Sequence, residues 1–390
     1  MSKPLIQING LYKVFGKHPE KTLNEVKQGI SKKQLLATTG HTIGLKNINL
    51  EINKGEIFVF MGLSGSGKST LVRHFNRLID PTEGEILIDG DDIMAYSQTE
   101  IEKFRQTKVS MVFQNFALMP HITVLDNVCY GLKVKSMPID QQHKIGKDWL
   151  EKVGLVGYEN QYPNQLSGGQ KQRVGLARAL AVDADILLMD EAFSALDPLI
   201  RSEMQDQLIQ LQADLQKTII FITHDLDEAL KLGDRIAILN DGELVQQDTP
   251  QEILLNPAND YVERFVKDVN RAKVLTVESI MQDVALIISD CDVKTAYEKI
   301  KALNLSQAFY FNGSKYSGVV ALKRLKDALE AGRGKDAPNE FLEDSAKISI
   351  SCTVEDVFKK SLQSEYMLPI FDGDGNLVGQ LSTTDLNQAF

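Results

Sequence analysis

The sequence predicts an α/β protein built on a parallel sheet and followed by a smaller α+β unit. Three short apolar runs bounded by polar residues indicate the sheet: EIFVFM at 56–61, ILLMD at 186–190 and TIIFITH at 218–224. Continuous apolar runs of this length are typical of parallel strands buried on both faces. The first run leads through a Gly/Ser stretch into LVRHFNRLI, which has helical spacing. This order of strand, loop and helix favours an α/β core with helices on both faces.

The smaller unit is predicted from an internal repeat after residue 270. SDCDVKTAYEKI matches SCTVEDVFKKSL in pattern, and SGVVALKRLKDAL matches VGQLSTTDLNQAF, with both pairs offset by 61 residues. A fixed offset indicates two copies of one unit. We therefore predict a first domain over 1–270 and two repeats over 275–331 and 339–390, joined by a linker rich in Gly and charge.

Composition places the chain among ordinary globular proteins. Its 390 residues are 43% hydrophobic and 25% charged. The net charge of -10 argues against nucleic acid as a partner, because phosphate binding needs clustered Lys and Arg. Neither a run of 18 apolar residues nor a signal-peptide core is found, so we expect a chain that neither crosses a membrane nor is exported. Cys129, Cys291 and Cys352 lack metal-type spacing and are expected to be buried thiols in a reducing compartment.

The segment GLSGSGKS at 62–69 fits G-x-x-x-x-G-K-[ST] and lies between a predicted strand and helix. Glycines let successive backbone N–H groups and the helix N-terminus surround phosphates. Lys68 would reach the β and γ phosphates, and the Ser69 hydroxyl would bind Mg²⁺. The residues predicted to hold the nucleotide here are Gly62, Ser64, Gly65, Ser66, Gly67, Lys68, Ser69 and Thr70.

Two carboxylates follow the run ILLM, at Asp190 and Glu191. The carboxyl edge of a parallel sheet is where ligands of open α/β folds bind. Asp190 would hold Mg²⁺ through water, and Glu191 would polarise an attacking water. Alone, two acids at a strand end are better explained by solvation, but beside a phosphate loop they indicate ATP hydrolysis.

The segment LSGGQ at 166–170 lies between these two motifs and precedes the helical run KQRVGLARAL. With all three motifs in this order, residues 4 to about 265 resemble the ABC ATPase family. The resemblance implies a P-loop NTPase core with a helical subdomain and a homodimer that encloses two ATP molecules. It also implies that Ser167, Gly168, Gly169 and Gln170 contact the γ-phosphate held by the other copy.

The same resemblance implies roles for four further positions. Gln114 in MVFQNF would sense Mg²⁺ and water, and His224 in FITHD would contact the γ-phosphate. Asp197, in the segment SALD at 194–197, would act across the dimer. Phe15 in YKVFG would stack on adenine, with Tyr12 as the second candidate.

An insertion at 17–43 separates Phe15 from the phosphate loop. Gly29 and Gly40 suit helix C-termini, and Ser31 with Gln34 fits a capping box, so the sequence predicts two short helices. Six lysines against two glutamates between 17 and 46 give a local charge of +4. Lys32 and Lys33 are therefore candidates for contact with anionic lipid, with a solvated basic face as the alternative.

The chain resembles ATP-binding subunits of glycine betaine and proline betaine importers. The resemblance rests on this insertion, the segments MGLSGSGKST and FALMPHITVLDNV, and the C-terminal repeats. The resemblance implies integral permease partners, a substrate-binding protein or domain, and a peripheral position on the cytoplasmic face of the membrane. Residues 117–131 would help to form the groove for the permease. The alternatives are an importer of another small solute, a non-transport ABC ATPase and a DNA-binding regulator. Only 99 residues separate Lys68 from Ser167, which leaves no room for the long coiled coil of many non-transport members.

The C-terminal repeats resemble a tandem pair of CBS domains. The resemblance implies a regulatory adenine nucleotide or cyclic dinucleotide near Ser382, Thr384 and Asp385. The first repeat has Ala321 and Arg324 at the positions of Ser382 and Asp385, so one of two possible sites departs from the pattern. A purely structural role in dimerisation is the alternative.

Overall fold

The computed structural model describes residues 3–114, 116–194, 196–267, 269–361, 364 and 366–388. The chain divides into two compact units, residues 1–268 and 269–390. Among the described residues, no helix is both long and apolar enough to cross a membrane.

The first unit contains two sheets. A six-stranded sheet has the order β10-β9-β3-β8-β7-β6, and a four-stranded sheet has the order β2-β1-β4-β5. The bounds are β1 Ile6–Phe15, β2 Thr42–Ile52, β3 Ile57–Met61, β4 Glu83–Ile88, β5 Asp91–Asp92, β6 Val109–Val112, β7 Ile186–Asp190, β8 Thr218–Thr223, β9 Arg235–Asn240 and β10 Glu243–Asp248. Strands β3, β6, β7, β8 and β9 are parallel, and β10 joins them antiparallel. The three apolar runs of the sequence are thus confirmed as neighbouring parallel strands.

The helices of this unit are α1 Leu23–Lys27, α2 Lys32–Thr39, α3 Lys68–Phe75, α4 Gln98–Thr107, α5 Val124–Val134, α6 Ile139–Lys152, α7 Gly168–Ala181, α8 Pro198–Leu215, α9 Leu226–Leu232, α10 Pro250–Leu255 and α11 Asp260–Val266. Short 3₁₀ turns occupy Pro19–Lys21, Ile93–Ala95 and Pro163–Gln165. The main core joins α3 and α4 to both sheets, with Phe58, Phe60 and Phe75 fully buried at its centre. One face of the parallel sheet is therefore covered by the antiparallel sheet together with helices.

Helices α5, α6 and α7 form a subdomain with a separate core. Val124, Val128, Leu150 and Val174 are fully buried in it, and Trp149 packs against it. The predicted helical subdomain is confirmed by this arrangement.

The insertion folds as the two short helices α1 and α2. The Ser31 side chain accepts a hydrogen bond from the Gln34 N–H, and the Gln34 side chain returns one, so the predicted capping box is formed. Gly40 ends α2 with φ +72°, a left-handed conformation that favours glycine. Leu35 and Val26 are fully buried against Val14 of β1 and Ile43 of β2. The helix pair is thus anchored on the β1–β2 hairpin.

The second unit repeats one order of elements. Its strands are β11 Ile287–Ile288, β12 Gln307–Asn312, β13 Lys315–Ala321, β14 Leu342–Glu343, β15 Ile348–Ser349, β16 Leu368–Phe371 and β17 Leu377–Leu381. Its helices are α12 Val293–Ala302, α13 Leu322–Glu330, α14 Val354–Ser361 and α15 Thr383–Gln388. In each half a short strand pairs parallel with the first strand of an antiparallel hairpin. The segment from β11 to α13 therefore has the same topology as the segment from β15 to α15.

Candidate functional site

The phosphate loop joins β3 to α3 in a path that only glycine can follow. Gly62, Gly65 and Gly67 have φ of +149°, +80° and +108°. A Cβ on Gly62 would lie 2.3 Å from the Leu239 carbonyl oxygen, and one on Gly67 would lie 2.7 Å from the Gly44 oxygen. Any side chain at these two glycines would displace backbone. The loop is therefore a tight, open ring of backbone ahead of the first turn of α3.

Lys68 is the first residue of α3 and is buried. Its Nζ donates to the Gly62 carbonyl at 2.7 Å and to the Leu63 carbonyl at 3.1 Å. Burial lowers the pKa of Lys68, and the charges of Glu191 and Asp190 oppose that shift. The two carbonyls hold the ammonium group across the mouth of the loop.

The other predicted loop residues occupy neighbouring positions. Ser66 is buried, and its carbonyl accepts a hydrogen bond from the Gly242 N–H at 2.9 Å. Ser64 is exposed, whereas Thr70 is half-buried in the first turn of α3. Ser64 and Thr70 both line the cleft described below.

A hydroxyl and a carboxylate meet beside Lys68. Ser69 Oγ donates to Asp190 Oδ1 at 3.0 Å. Asp190 ends β7 and is buried, and burial raises the pKa of its carboxyl, while the hydrogen bond from Ser69 lowers it. These oxygen atoms are the type of ligand that Mg²⁺ prefers.

Two predicted residues from different loops converge on the carboxylate of a third, Glu191. Gln114 Nε2 donates to Glu191 Oε2 at 3.1 Å, and His224 Nδ1 lies 3.6 Å from the same oxygen. Glu191 has φ +46°, a left-handed conformation that is uncommon outside glycine. The turn after β7 thus directs Glu191 towards the loops that follow β6 and β8.

Phe15 closes the other side of the cleft. It ends β1, is 40% exposed, and lies so close to Gly44 of β2 that a Cβ there would be 2.6 Å from its ring. The Lys13 Nζ lies 5.2 Å from the centre of the ring. Tyr12, the second candidate, instead packs against the insertion core. A ring exposed on one face at the mouth of the cleft suits stacking on a planar base.

The cleft measures about 300 Å³. Its lining includes Phe15, Ser64, Gly65, Gly67, Lys68, Ser69, Thr70 and Glu191, all of them predicted from the sequence. It also includes Lys32, Thr42, Ile43 and Gly44, which were not predicted for this site. Lys32 and Gly44 belong to no nucleotide-binding motif, and only the folding of α2 and β2 brings them to the cleft.

The LSGGQ segment opens on a second cleft, of about 760 Å³. Ser167 caps α7, accepting from the Gln170 N–H at 3.3 Å, while the Gln170 side chain accepts from the Ser167 N–H at 2.9 Å. A Cβ on Gly168 would meet nothing within 4 Å, whereas one on Gly169 would lie 2.8 Å from Ile200 Cγ2. Within the described part of the chain, the linings of the two clefts share no residue.

Asp197 lies in this second cleft and caps α8, accepting from the Ile200 N–H at 3.1 Å. Ser194, at the start of the same segment, donates through Oγ to the Glu191 carbonyl at 2.9 Å. Ala195 lies outside the described residues. The segment SALD therefore runs from the carboxylate pair to the cleft of the LSGGQ helix.

A groove of about 290 Å³ runs between β6, α5 and α7. Phe113, Tyr130 and Val134 line it and are 38%, 42% and 46% exposed. Arg178 of α7 also lines the groove and donates to the carbonyls of Phe116 and Ala117, both at 2.7 Å. Phe116 and Ala117 have φ of +60° and +46°, so the guanidinium stabilises a strained turn directly after the loop of Gln114.

In the second unit, the predicted nucleotide residues cap a helix. Asp385 Oδ2 accepts from the Ser382 N–H at 2.8 Å and from the Ser382 hydroxyl at 2.5 Å, and Asp385 Oδ1 accepts from Gln282 at 2.7 Å. Thr384 is exposed. In the first repeat Arg324 pairs with Glu343 at 2.5 Å.

A separate cleft of about 510 Å³ lies between the hairpins of the two repeats. Tyr316 and Phe371 line it, and Lys347 Nζ lies 5.4 Å from each of their rings. Burial raises the pKa of Tyr316 to about 12. The predicted residues Ser382, Thr384 and Asp385 do not line this cleft.

The fold and the first cleft together define an ATP-hydrolysing cassette, because the phosphate loop, the acidic strand end and the LSGGQ helix lie on one parallel-sheet core with a helical subdomain. Residues 45–194 match the ABC transporter family model. The chain is 46% identical over 389 residues to the glycine betaine/proline betaine transport system ATP-binding protein of Salmonella typhimurium, covering 98% of this chain and 97% of that protein. It is 51% identical over 352 residues to the glycine betaine/carnitine transport ATP-binding protein of Listeria monocytogenes, covering 88% of each. The chain therefore belongs to the ABC transporter family of ATP-binding proteins.

Solved structures agree with this assignment. A dimeric ATP-binding cassette in a post-hydrolysis state, bound to ADP and Pi, is 34% identical with a TM-score of 0.54, covering 63% of this chain and 98% of that one. A subunit of an ABC transporter complex from Clostridium perfringens is 28% identical with a TM-score of 0.55, covering 66% of this chain and 93% of that one. The family predicted from the motifs is confirmed, and the nucleotide that it binds is ATP.

Proposed function

We propose that this chain is the ATP-hydrolysing subunit of an importer for a quaternary-amine osmoprotectant such as glycine betaine or proline betaine. Support for the solute comes from the relative in Salmonella, which matches almost the whole chain and is named for that transport. A trimethylamine N-oxide transport ATP-binding protein of Pelagibacter ubique is 49% identical over 282 residues, so an importer of another small solute is the alternative. Uptake of labelled glycine betaine by cells with and without the gene separates the two.

The observation that carries the ATPase proposal is the meeting of Gln114 and His224 at Glu191. We assign Glu191 to accept a proton from the attacking water and Gln114 to orient that water, because a general base needs hydrogen-bond reach of its proton. His224 would contact the γ-phosphate. Phe15 would stack on adenine while Lys68 and the loop N–H groups hold the phosphates.

Mg²⁺ would enter with the nucleotide and neutralise developing charge on its phosphates. Ser69 and Asp190 would hold it, with Gln114 as the third ligand. The hydroxyl–carboxylate contact of 3.0 Å supports this set, since both groups offer oxygen to a hard cation.

Two variants test the assignment. Lys68→Ala should lower both ATP affinity and turnover, and Glu191→Gln should retain ATP binding while turnover falls by roughly 100-fold or more, as expected for loss of a general base. Binding and phosphate release are measured on the same purified preparations. Turnover of Lys68→Ala at the parent rate would refute the ATPase proposal.

The separation of the two clefts supports a partner copy. Ser167, Gly168, Gly169 and Gln170 line one cleft and the phosphate loop lines the other, so we propose that each LSGGQ closes on ATP held by a second copy, with Asp197 at the junction. The cassette structure that resembles this chain is itself dimeric. In size-exclusion chromatography with ATP, the Glu191→Gln protein should therefore elute at twice the monomer mass. A monomer under those conditions would contradict the pairing.

The groove beside α7 is the proposed seat of an integral permease subunit, with a substrate-binding protein or domain completing the importer at the membrane. Its exposed aromatic residues Phe113 and Tyr130 support docking of another protein segment. Residues 117–131, predicted for this role, include Tyr130 and Gly131 of the lining. Copurification of the tagged chain from solubilised membranes identifies the permease.

The second unit is proposed to be a tandem CBS pair that binds a regulatory adenine nucleotide or cyclic dinucleotide. Ser382, Thr384 and Asp385 remain the residues proposed from resemblance, and the aromatic and lysine lining of the 510 Å³ cleft supplies a second location suited to base and phosphate. Calorimetric titration of the full chain carrying Glu191→Gln, with its ATP sites saturated, tests for the ligand. Asp385→Ala and Lys347→Ala then locate it.

Anionic lipid is the last proposed partner. Lys33 is exposed on α2, which supports contact with a charged membrane surface. Binding to vesicles with and without anionic lipid, for the parent and Lys33→Gln, tests this role.

A further inference from the structure

The insertion places a second lysine in the ATP cleft. Lys32 begins α2, and its Nζ donates to the Gly65 carbonyl of the phosphate loop at 3.2 Å. It lines the same cleft as Phe15 and Lys68. Lys32 lies within the insertion at 17–43, so this contact depends on the insertion.

The position of Lys32 is determined by packing. The capping box between Ser31 and Gln34 fixes the start of α2, and Leu35 is fully buried in the small core shared with the β1–β2 hairpin. That hairpin also carries Phe15 at the mouth of the cleft. The lysine and the aromatic ring are therefore held on one rigid support.

The neighbouring lysine has a different environment. Lys33 is exposed and does not line the cleft, whereas Lys32 is half-buried there. Glu191 is the acidic residue of the cleft lining, and Lys68 is its other cation. Lys32 therefore adds a second ammonium group to the cleft lining, and positive charge suits a polyphosphate.

We propose that Lys32 is a second phosphate-binding lysine of the ATP site, supplied by the inserted helix pair; this inference rests on the proposed ATPase function. An ammonium group has three donors, so Lys32 can keep its bond to Gly65 and offer two N–H groups to phosphate oxygens. Bound ATP would then connect the phosphate loop directly to α2.

The test measures ATP affinity of the full chain with a fluorescent ATP analogue. Lys32→Ala should raise the Kd for ATP by roughly 3- to 10-fold at low salt, as expected for a partly exposed charge-assisted contact. Lys32→Glu should raise the Kd further, and the Kd of Lys32→Arg should stay near that of the parent. The difference in Kd between Lys32→Ala and the parent should become smaller at about 0.5 M salt, because screening weakens the lysine contact. If Lys32 had only a structural role, the Kd values would not follow the charge of the substituted residue, and salt would not reduce their differences.

Lys33→Ala and Lys33→Glu are the matched controls, with the same charge changes one residue away. Equal Kd values for the Lys32 and Lys33 variants would overturn the proposal. The same Kd for all Lys32 variants would also overturn it. Lys68→Ala runs in parallel. If Lys68→Ala loses ATP binding while the Lys32 series stays flat, only the role of Lys32 fails; if Lys68→Ala binds and hydrolyses ATP like the parent, the proposed function fails.

Discussion

Alanine at Gly169 should destabilise the helical subdomain, whereas alanine at Gly168 should stabilise it. Both glycines lie in the first turn of α7, where alanine gains up to about 1 kcal/mol in helix propensity. A Cβ at Gly168 would meet nothing within 4 Å, but one at Gly169 would lie 2.8 Å from Ile200 Cγ2. Overpacking of this kind costs about 1–3 kcal/mol, so the net loss at Gly169 is up to about 2 kcal/mol.

Ile200 provides the control for this clash. Ile200→Ala removes the colliding methyl group and should rescue Gly169→Ala, whereas Ile200→Val keeps a branched methyl at the same place and should not. In a double-mutant cycle, the Gly169–Ile200 pair should show a coupling energy of about 1–3 kcal/mol, while Gly168 and Ile200 should be additive.

The chain's single tryptophan supplies the assay. Trp149 packs against the core of the helical subdomain, so urea unfolding followed by its fluorescence reports on this region. At an m-value of about 1–3 kcal/mol per molar urea, a change of 1 kcal/mol moves the midpoint by roughly 0.3–1 M. Equal midpoints for Gly168→Ala and Gly169→Ala would refute the packing argument.

Three further outcomes are expected. Ser69→Ala should raise the Mg²⁺ concentration needed for half-maximal ATPase activity, with affinity for Mg²⁺-free ATP unchanged; an unaltered Mg²⁺ titration would remove Ser69 from the metal site. Burial lowers the pKa of His74 from 6.5 to about 4, so the free energy of unfolding should fall by up to about 3 kcal/mol as the pH drops through that window, because only the unfolded state takes up the proton. His74→Leu should remove that part of the pH dependence in denaturation curves at pH 4.5 and 7, and a parent with equal stability at both values would contradict it. Tyr130→Glu should abolish permease copurification and leave ATP binding of the isolated chain intact. If the permease still copurified, the groove would be excluded as its docking site.

The sequence predicted the features of the fold that are local. The strand, glycine loop and helix around Lys68 are consecutive in the chain, so their geometry follows from residue type and order. The capping box at Ser31 forms within four residues and was predicted for the same reason. The predicted family followed from these local motifs.

Contacts that depend on tertiary packing were not predicted. Gly44 carries no motif, and its role against the Phe15 ring is visible only once β1 and β2 pair. The hydrogen bond from Lys32 to the Gly65 carbonyl depends on the path of the insertion and was not predicted, whereas the lipid contact predicted from its charge stays a prediction. The bond between Asp385 and Gln282 joins residues 103 positions apart, which no local pattern could reveal.

The guanidinium of Arg178 has a mechanical consequence. It links α7, which begins within LSGGQ, to the turn that follows Gln114. It does so through two backbone carbonyls, whose bonds do not depend on a partner side chain. A rotation of α7 would therefore shift the turn next to Gln114 and the wall of the groove proposed for the permease in the same movement. Arg178 would thus couple closure of the dimer on ATP to movement of the permease subunit.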